Sequence, residues 1–308
     1  MKQNRLFNVA LILFAIWQCG NSSSPIDNTL NWTPRSSGVS SALNAVAWSG
    51  SKFVIAGDSG VVLTSSEGTS WASQTSGTAQ ALRAVLWSGS QFVAVGANGT
   101  ILTSANGTAW IPQTSGTTSI LEAITWTGSQ FVCAGYSGTI LTSPNATSWT
   151  SRTSGTTNDL YAIAWTGSRL VATGSNGTIL TSADGITWVS RASGSVRLLS
   201  GIAWSGSRLT VVGYDGSTFA PVILTSEDGI SWSSVSAGSK AIADVVWSGT
   251  QFLAVGGTSG SALIASSSSG LAWSGHNINL TEVLRGVTWS GSQYVAVGSN
   301  GSIYTATP

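Results

Sequence analysis

The chain has 308 residues, 42% of them hydrophobic and only 7% charged, with a formal net charge of +1 from 12 Lys and Arg against 11 Asp and Glu. That is ample material for a large core, and the balance of charge excludes the dense basic surface that a nucleic-acid partner demands. One His and two Cys exclude a multi-histidine zinc site and leave little for a disulfide scaffold.

Residues 1–18 read as an export signal: Lys2 and Arg5 precede an apolar stretch, Leu6 to Trp17, too short to span a bilayer comfortably. Gln18, Cys19 and Gly20 end it, and a polar tract runs to residue 29. The arrangement resembles a bacterial lipoprotein signal, in which Cys19 would become the lipidated first residue of the mature protein; Trp17 and Gln18 depart from the small residues usual there. Ordinary signal-peptidase cleavage and an uncleaved apolar tail are the alternatives. The expected location is the cell membrane or outer membrane as a lipoprotein, otherwise the periplasm or the exterior.

From residue 30 to 308 the chain repeats itself. Trp48, Trp87, Trp126, Trp165, Trp204, Trp247 and Trp289 form one series, and Trp32, Trp71, Trp110, Trp149, Trp188, Trp232 and Trp273 a second, with a step of 39 residues in the first four intervals of each. Residues 81–116 show the unit. Four short apolar or β-branched runs are separated by three tight turns, which predicts a four-stranded meander, strands a to d. Asn98-Gly99, Asn176-Gly177 and Asn300-Gly301 sit at the b-to-c turn, where positive φ is expected. Strands a and b are nearly free of polar residues and read as inner strands, whereas strand d mixes Trp with Ser, Thr, Gln and, at Pro112, proline, and reads as a half-wet edge. The two Trp of each unit are expected to fill the wedge between adjacent sheets. Cys133 lies where neighbouring repeats have Ala94 and Ala172, and reads as a small buried hydrophobe.

Six full copies start near Leu43, Leu82, Leu121, Leu160, Leu199 and Ile242; a seventh starts at Leu284 and stops at Pro308 without a strand d. Leu30 to Ser37 has strand d's signature with no a, b or c before it. The expectation is an all-β, seven-bladed β-propeller of four-stranded antiparallel blades, closed by the N-terminal strand completing the C-terminal blade.

The c-to-d turn repeats Thr-Ser-x-[Asp/Asn/Glu]-Gly-x-x-Trp, as in Thr64 to Trp71, Thr103 to Trp110, Thr181 to Trp188 and Thr225 to Trp232. With the Ile-Leu-Thr-Ser stretch before it, this resembles the Asp-box (BNR-like) propellers, a broad group of sialidases, sortilin-type receptors and photosystem II assembly factors, although the usual Asp box has a residue between its Asp and Gly. In physical terms the acidic or amide side chain caps its own turn, Gly supplies the backbone geometry and Trp anchors the next strand. Asn145-Ala146 and the acid-free turn Ser267 to Trp273 suit a structural turn, and one carboxylate per turn is too few ligands for calcium.

No catalytic, metal or cofactor constellation emerges. The three arginines, Tyr/Glu pair and Asp implied by a sialidase cannot be placed as a set, although Arg83 and Arg285 occupy equivalent positions and Arg197 lies nearby. His276 reads as a polar loop residue. A glycosidase needs two facing carboxylates; Glu122, Asp58, Asp159, Asp215, Asp244 and Glu282 could approach one rim, and no spacing selects a pair.

A binding rim is better marked. Four residues before the strand-a Trp the copies read Asn44, Arg83, Glu122, Tyr161, Ser200, Ala243 and Arg285, varied among nearly constant neighbours. The b-to-c loops add Tyr136, Tyr214 and Asp215, and the loops Tyr214 to Pro221 and Gly257 to Ser261 are enlarged. Arg83, Glu122, Tyr136, Tyr161, Tyr214, Asp215 and Arg285 are therefore the candidate ligand-binding residues; neutral drift after duplication would produce the same variation. The expected role is a monomeric cell-envelope binding or scaffold protein recognising a protein or glycan. A glycan-processing enzyme and an assembly factor for an envelope or membrane complex are the alternatives. The last implies a basic or contiguous charged patch, which the near-zero net charge does not advertise.

Overall fold

A computed structural model describes residues 30–236, 238–276 and 278–308. The export signal, Cys19 and the polar tract lie outside them.

Seven four-stranded antiparallel sheets form, each a simple meander. Blade 1 runs Leu43–Trp48, Phe53–Gly57, Val62–Ser65 and Ala72–Gln74, and blades 2 to 6 follow in chain order with innermost strands Leu82–Trp87, Leu121–Trp126, Leu160–Trp165, Leu198–Trp204 and Ile242–Trp247. Blade 7 takes Leu284–Trp289, Tyr294–Gly298 and Ile303–Ala306 from the C-terminus and Thr33–Arg35 from the N-terminus. Each innermost strand contacts the innermost strands of both neighbours, and that of blade 7 contacts that of blade 1, so the ring is closed.

The closing strand pairs antiparallel with Thr33 opposite Thr305, Pro34 opposite Tyr304 and Arg35 opposite Ile303. Its chemistry copies the other blades. Arg35 Nε donates to Thr305 Oγ1 at 2.9 Å, as Arg152 does to Thr142, Arg191 to Thr181 and Gln113 to Thr103. In blade 6 the same register position holds His276, which is buried, with Nε2 2.9 Å from Ser266 Oγ. The expectation of a polar loop residue is corrected: strand pairing carries the ring inward, with the His276 N–H donating to the Ile264 carbonyl.

Seven apolar clusters form the core, each between two adjacent blades. The one at the seam joins Leu43, Phe53 and Ile55 of blade 1 to Val295, Val297 and Ile303 of blade 7. The indoles pack against these clusters, between adjacent blades as expected, and are half-buried. The wholly buried filler is the first residue of strand b, Phe53, Phe92, Phe131, Phe252 or Tyr294. It lies between the two Trp of its blade: Trp48 and Trp71 sit 4.2 and 6.1 Å from the Phe53 ring. Trp289 and Trp32, from opposite chain ends, flank Tyr294 at 4.4 and 6.3 Å. Burying each such ring contributes roughly 2–3 kcal/mol, and the indoles screen its rim from water.

Strand d is the exposed outer edge in every blade, and Pro112 sits there opposite Leu102. Cys133 is wholly buried, and burial pushes its thiol up. At the b-to-c turns Ser59, Asn98, Ser137, Asn176 and Asn300 all have φ between 53° and 57°. The Asp-box turn is self-contained. Asp184 Oδ1 accepts from the N–H of Ile186 (2.8 Å) and Thr187 (2.9 Å), Ser182 Oγ accepts from the Gly185 N–H, and Trp188 Nε1 donates to the Gly185 carbonyl. Those N–H donors hold the Asp184 carboxyl below its usual range, and equivalent bonds hold Asp228 at about 2. Among the described residues no group of His, Cys, Asp and Glu could hold a metal ion.

Candidate functional site

The seven variable strand-a positions share one structural peculiarity. In each innermost strand the pairing with strand b slips by one residue there: Leu43 faces Gly57 and Ala45 faces Ala56, leaving Asn44 unpaired. The same slip leaves Arg83, Glu122, Tyr161, Ser200, Ala243 and Arg285 unpaired. A bulge re-aims its extra side chain and relaxes the period-two alternation. Seven bulges at one level give a ring of seven side chains around the mouth of the central channel. The cavity there, about 350 Å³, is lined by all seven together with Tyr214 and Asp244.

Five of the seven candidate residues, Arg83, Glu122, Tyr161, Tyr214 and Arg285, therefore meet in one cavity. Tyr136 stands behind it, its ring edge-on to Tyr161 at 5.9 Å. Asp215 does not line it. Its Oδ1 accepts from the Ser217 hydroxyl (2.6 Å) and the N–H of Ser217 and Thr218, which holds its carboxyl well below the usual range and makes it the organiser of its own loop.

A side-chain belt links the blades at this level. Arg285 Nη1 donates to Asn44 Oδ1 (2.8 Å); Asn44 Nδ2 donates to Asp58 Oδ1 and to the Leu82 carbonyl (both 2.9 Å). Asp58 Oδ1 lies 3.4 Å from Arg83 Nη1, and Arg83 Nε lies 3.8 Å from Glu122 Oε1. At that distance Nε makes no hydrogen bond, and it is a buried donor without a partner among the described residues. On the far side the Ser200 hydroxyl donates to the Ile242 carbonyl (3.1 Å), and Asp244 Oδ2 accepts from the Val287 N–H (3.0 Å). The belt runs from blade 7 through blade 3 and sets two guanidiniums against two carboxylates.

Burial raises the Glu122 carboxyl, against the opposing pull of Arg83, and nearby Asp159 and Asp58 push it the same way. Burial likewise raises the Tyr136 and Tyr161 hydroxyls. The carboxylates expected to approach one rim do so only in part. Asp58 and Glu122 flank a single guanidinium, Asp159 Oδ1 accepts from the Ser137 N–H (2.8 Å), and Glu282 accepts from the Tyr304 hydroxyl (2.6 Å).

Two features were missed in whole or in part by the sequence reading. Asp244, named there only as one of several carboxylates, follows its bulge where the other copies have Ala45, Ala84, Ala123, Ala162, Gly201 and Gly286, a legible break in an otherwise small-residue position. It is half-buried and lines the cavity; burial pushes its carboxyl up to about 6, against hydrogen bonds from the Val287 and Val245 N–H. The second is Phe219, in the enlarged blade 5 loop. Its ring stacks on Tyr214 (6.1 Å, 22°), it is half exposed, and its φ of 58° is one that bulky residues rarely adopt. Arg197 Nη1 holds that loop through the Ala220 and Pro221 carbonyls.

A ring of bulged, variable side chains over a closed seven-bladed scaffold is the arrangement to compare with known proteins. No protein-family model matches the chain, and no curated protein does. Solved structures do. YCF48 from Cyanidioschyzon merolae is 17% identical with a TM-score of 0.71, over 90% of this chain and 98% of that one. YCF48 bound to D1 peptide is 14% identical with a TM-score of 0.72, over 90% and 97%. A catalytically inactive virginiamycin B lyase from Staphylococcus aureus with quinupristin is 11% identical with a TM-score of 0.79, over 91% and 99%. The likeness is one of fold. One scaffold thus serves dissimilar proteins, and the site distinguishes them.

Proposed function

We propose that the protein is an envelope scaffold that recognises a segment of a partner protein at the bulge-ring mouth and acts without covalent chemistry. The observation that carries this is the meeting of the Arg83 guanidinium, part-exposed, with aromatic rings on the same cavity, Tyr161 and Tyr214, the latter stacked on Phe219. A polypeptide supplies both complements: carbonyl or carboxylate oxygens for the guanidinium, and apolar side chains for the exposed rings. Arg285, exposed beside it, adds a second cation. A YCF48 structure solved with D1 peptide supports a protein segment over a glycan as the ligand, and so favours the assembly-factor alternative. Export and lipidation at Cys19 complete the proposal and rest on the signal sequence.

The test is crosslinking capture from the source envelope with wild type, Tyr214→Ala and Arg83→Gln, followed by mass spectrometry. A protein captured by wild type and lost from both variants supports the reading. Capture that persists in both, or a ligand that proves to be glycan, overturns it. Release of the Cys19→Ser protein from the membrane fraction checks the anchor.

A further inference from the structure

The rim opposite the cavity carries the Asp-box turns, and one position in them divides the ring. Directly after the turn's Gly, or Ala146 in blade 3, blades 1, 2 and 3 have Thr69, Thr108 and Thr147, whereas blades 4, 5 and 6 have Ile186, Ile230 and Leu271. These three aliphatic side chains are 50%, 38% and 51% exposed. The turn does not need them, since threonine serves at the same place in three other blades. They fall in three successive blades.

Between them run two arginines: Arg169 passes Gly229, and Arg208 passes Gly270. The Arg208 guanidinium meets Glu227 at 2.8 Å, and Asp184 and Asp228 each accept from a backbone N–H of their own turn through Oδ1. Two cations against three carboxylates leave the sector one negative charge in excess, so apolar contact and guanidinium–phosphate bonds, rather than bulk charge, define what fits it.

The chain's N-terminal segment arrives on this same rim. In blades 1 to 6 strand d follows directly on the Asp-box turn, and Trp32 occupies in blade 7 the place of Trp71, so residues before Leu30 join the ring at this rim, one blade from Leu271. That segment contains the apolar run Leu6 to Trp17 and Cys19. The span from Cys19 to Leu30 reaches at most about 35–40 Å when extended. Whatever apolar phase holds the segment therefore lies within reach of the rim.

We propose that the Asp-box rim of blades 4 to 6 rests on a phospholipid bilayer. Ile186, Ile230 and Leu271 enter the headgroup level, Arg169 and Arg208 meet lipid phosphates, and the cavity mouth faces away from the membrane. The threonine-bearing half of the rim stays clear. This docking rests on the anchor part of the proposed function and not on the partner reading.

The test uses the lipidated full chain, whose Cys19 thiol the anchor blocks, so that a thiol-reactive, environment-sensitive fluorophore labels a single introduced site; Cys133 is buried. The label is placed through Ile230→Cys or, in the other half, Thr108→Cys, and phosphatidylethanolamine/phosphatidylglycerol vesicles are added. A blue shift and an about threefold loss of iodide quenching at position 230, absent at position 108 and abolished at position 230 by Ile186→Asp with Leu271→Asp, supports the docking. No change at position 230, equal change at both positions, or a shift that survives the two Asp substitutions overturns it. Circular dichroism confirms that each variant is folded.

Discussion

Arg285 and Asn44, 241 residues apart in the chain, meet at 2.8 Å across the seam where blade 7 abuts blade 1. Asn44 passes the contact on to Asp58 and to the backbone of blade 2. The bulge position that varies most from blade to blade thus also ties blades together, and the proposed recognition would draw on the same side chains as closure.

Asn44→Ala removes one acceptor and two donor contacts in a half-buried setting. The Leu82 carbonyl and Asp58 lose a partner and turn to channel water. A loss of about 1–2 kcal/mol is expected, read as a lower denaturant midpoint with an unchanged slope. Unchanged stability would show that the belt orients side chains without holding the ring.

Gly301 tests the seam from the other side. Its φ is +68°, and a Cβ there would press into the Val39 carbonyl, contributed by the opposite end of the chain. Gly301→Ala is expected to cost about 2–4 kcal/mol, the left-handed conformation and the backbone displacement together. Gly291→Ala is the control: its φ is +96° but the space around it is open, so only the conformational part, about 1–2 kcal/mol, should appear. Equal losses in urea titrations would mean that the contact at the seam yields easily.

The architecture was legible because the repeat is written in the residues that make it: glycines at turns, one Trp per inner and outer strand, and an orphan strand d at one end matching its absence at the other. The variable ring was legible too, as differences among Asn44, Arg83, Glu122, Tyr161 and their counterparts. Its cause was not, because a bulge is a property of pairing between strands and leaves no mark within one. Phe219 was hidden for a different reason. The loop that holds it exists in one blade only, so no sister copy marks it as unusual. His276 was misplaced although it stands three residues after Trp273, as Gln74 and Arg152 stand after Trp71 and Trp149: the Ser-Gly that precedes it carries no strand signal.

Phe219 bears on the trade between stability and recognition. At φ 58° an aromatic residue is strained, while its exposed ring and stack on Tyr214 give little burial in return. Phe219→Gly should leave the melting temperature unchanged or raise it, by up to about 1 kcal/mol in stability, yet weaken capture of the envelope partner at least about tenfold, as expected for an aromatic anchor. A variant that is more stable and still binds would show that the strain serves no recognition. One that loses stability would show that the Tyr214 stack holds the loop.

Asp244 gives the ring a pH dependence whose sign follows from its raised carboxyl. Folded protein keeps the proton up to about pH 6, whereas the unfolded chain releases it near 3.8. Between those values the native state binds more protons, so the contribution present in full below pH 3.8 declines as pH rises and is gone above about 6. The difference amounts to no more than about 3 kcal/mol, lessened by water in the channel. Glu122 slopes the same way, and Asp184 and Asp228, with depressed carboxyls, slope the opposite way at lower pH. The group is therefore isolated by comparing wild type with Asp244→Ala, the residue found in four sister blades. The variant's stability relative to wild type should climb from pH 4 to pH 6 and level off above it. Parallel pH profiles for the two proteins would show that Asp244 ionises normally, with channel water and the Val245 and Val287 N–H groups solvating its charge in full.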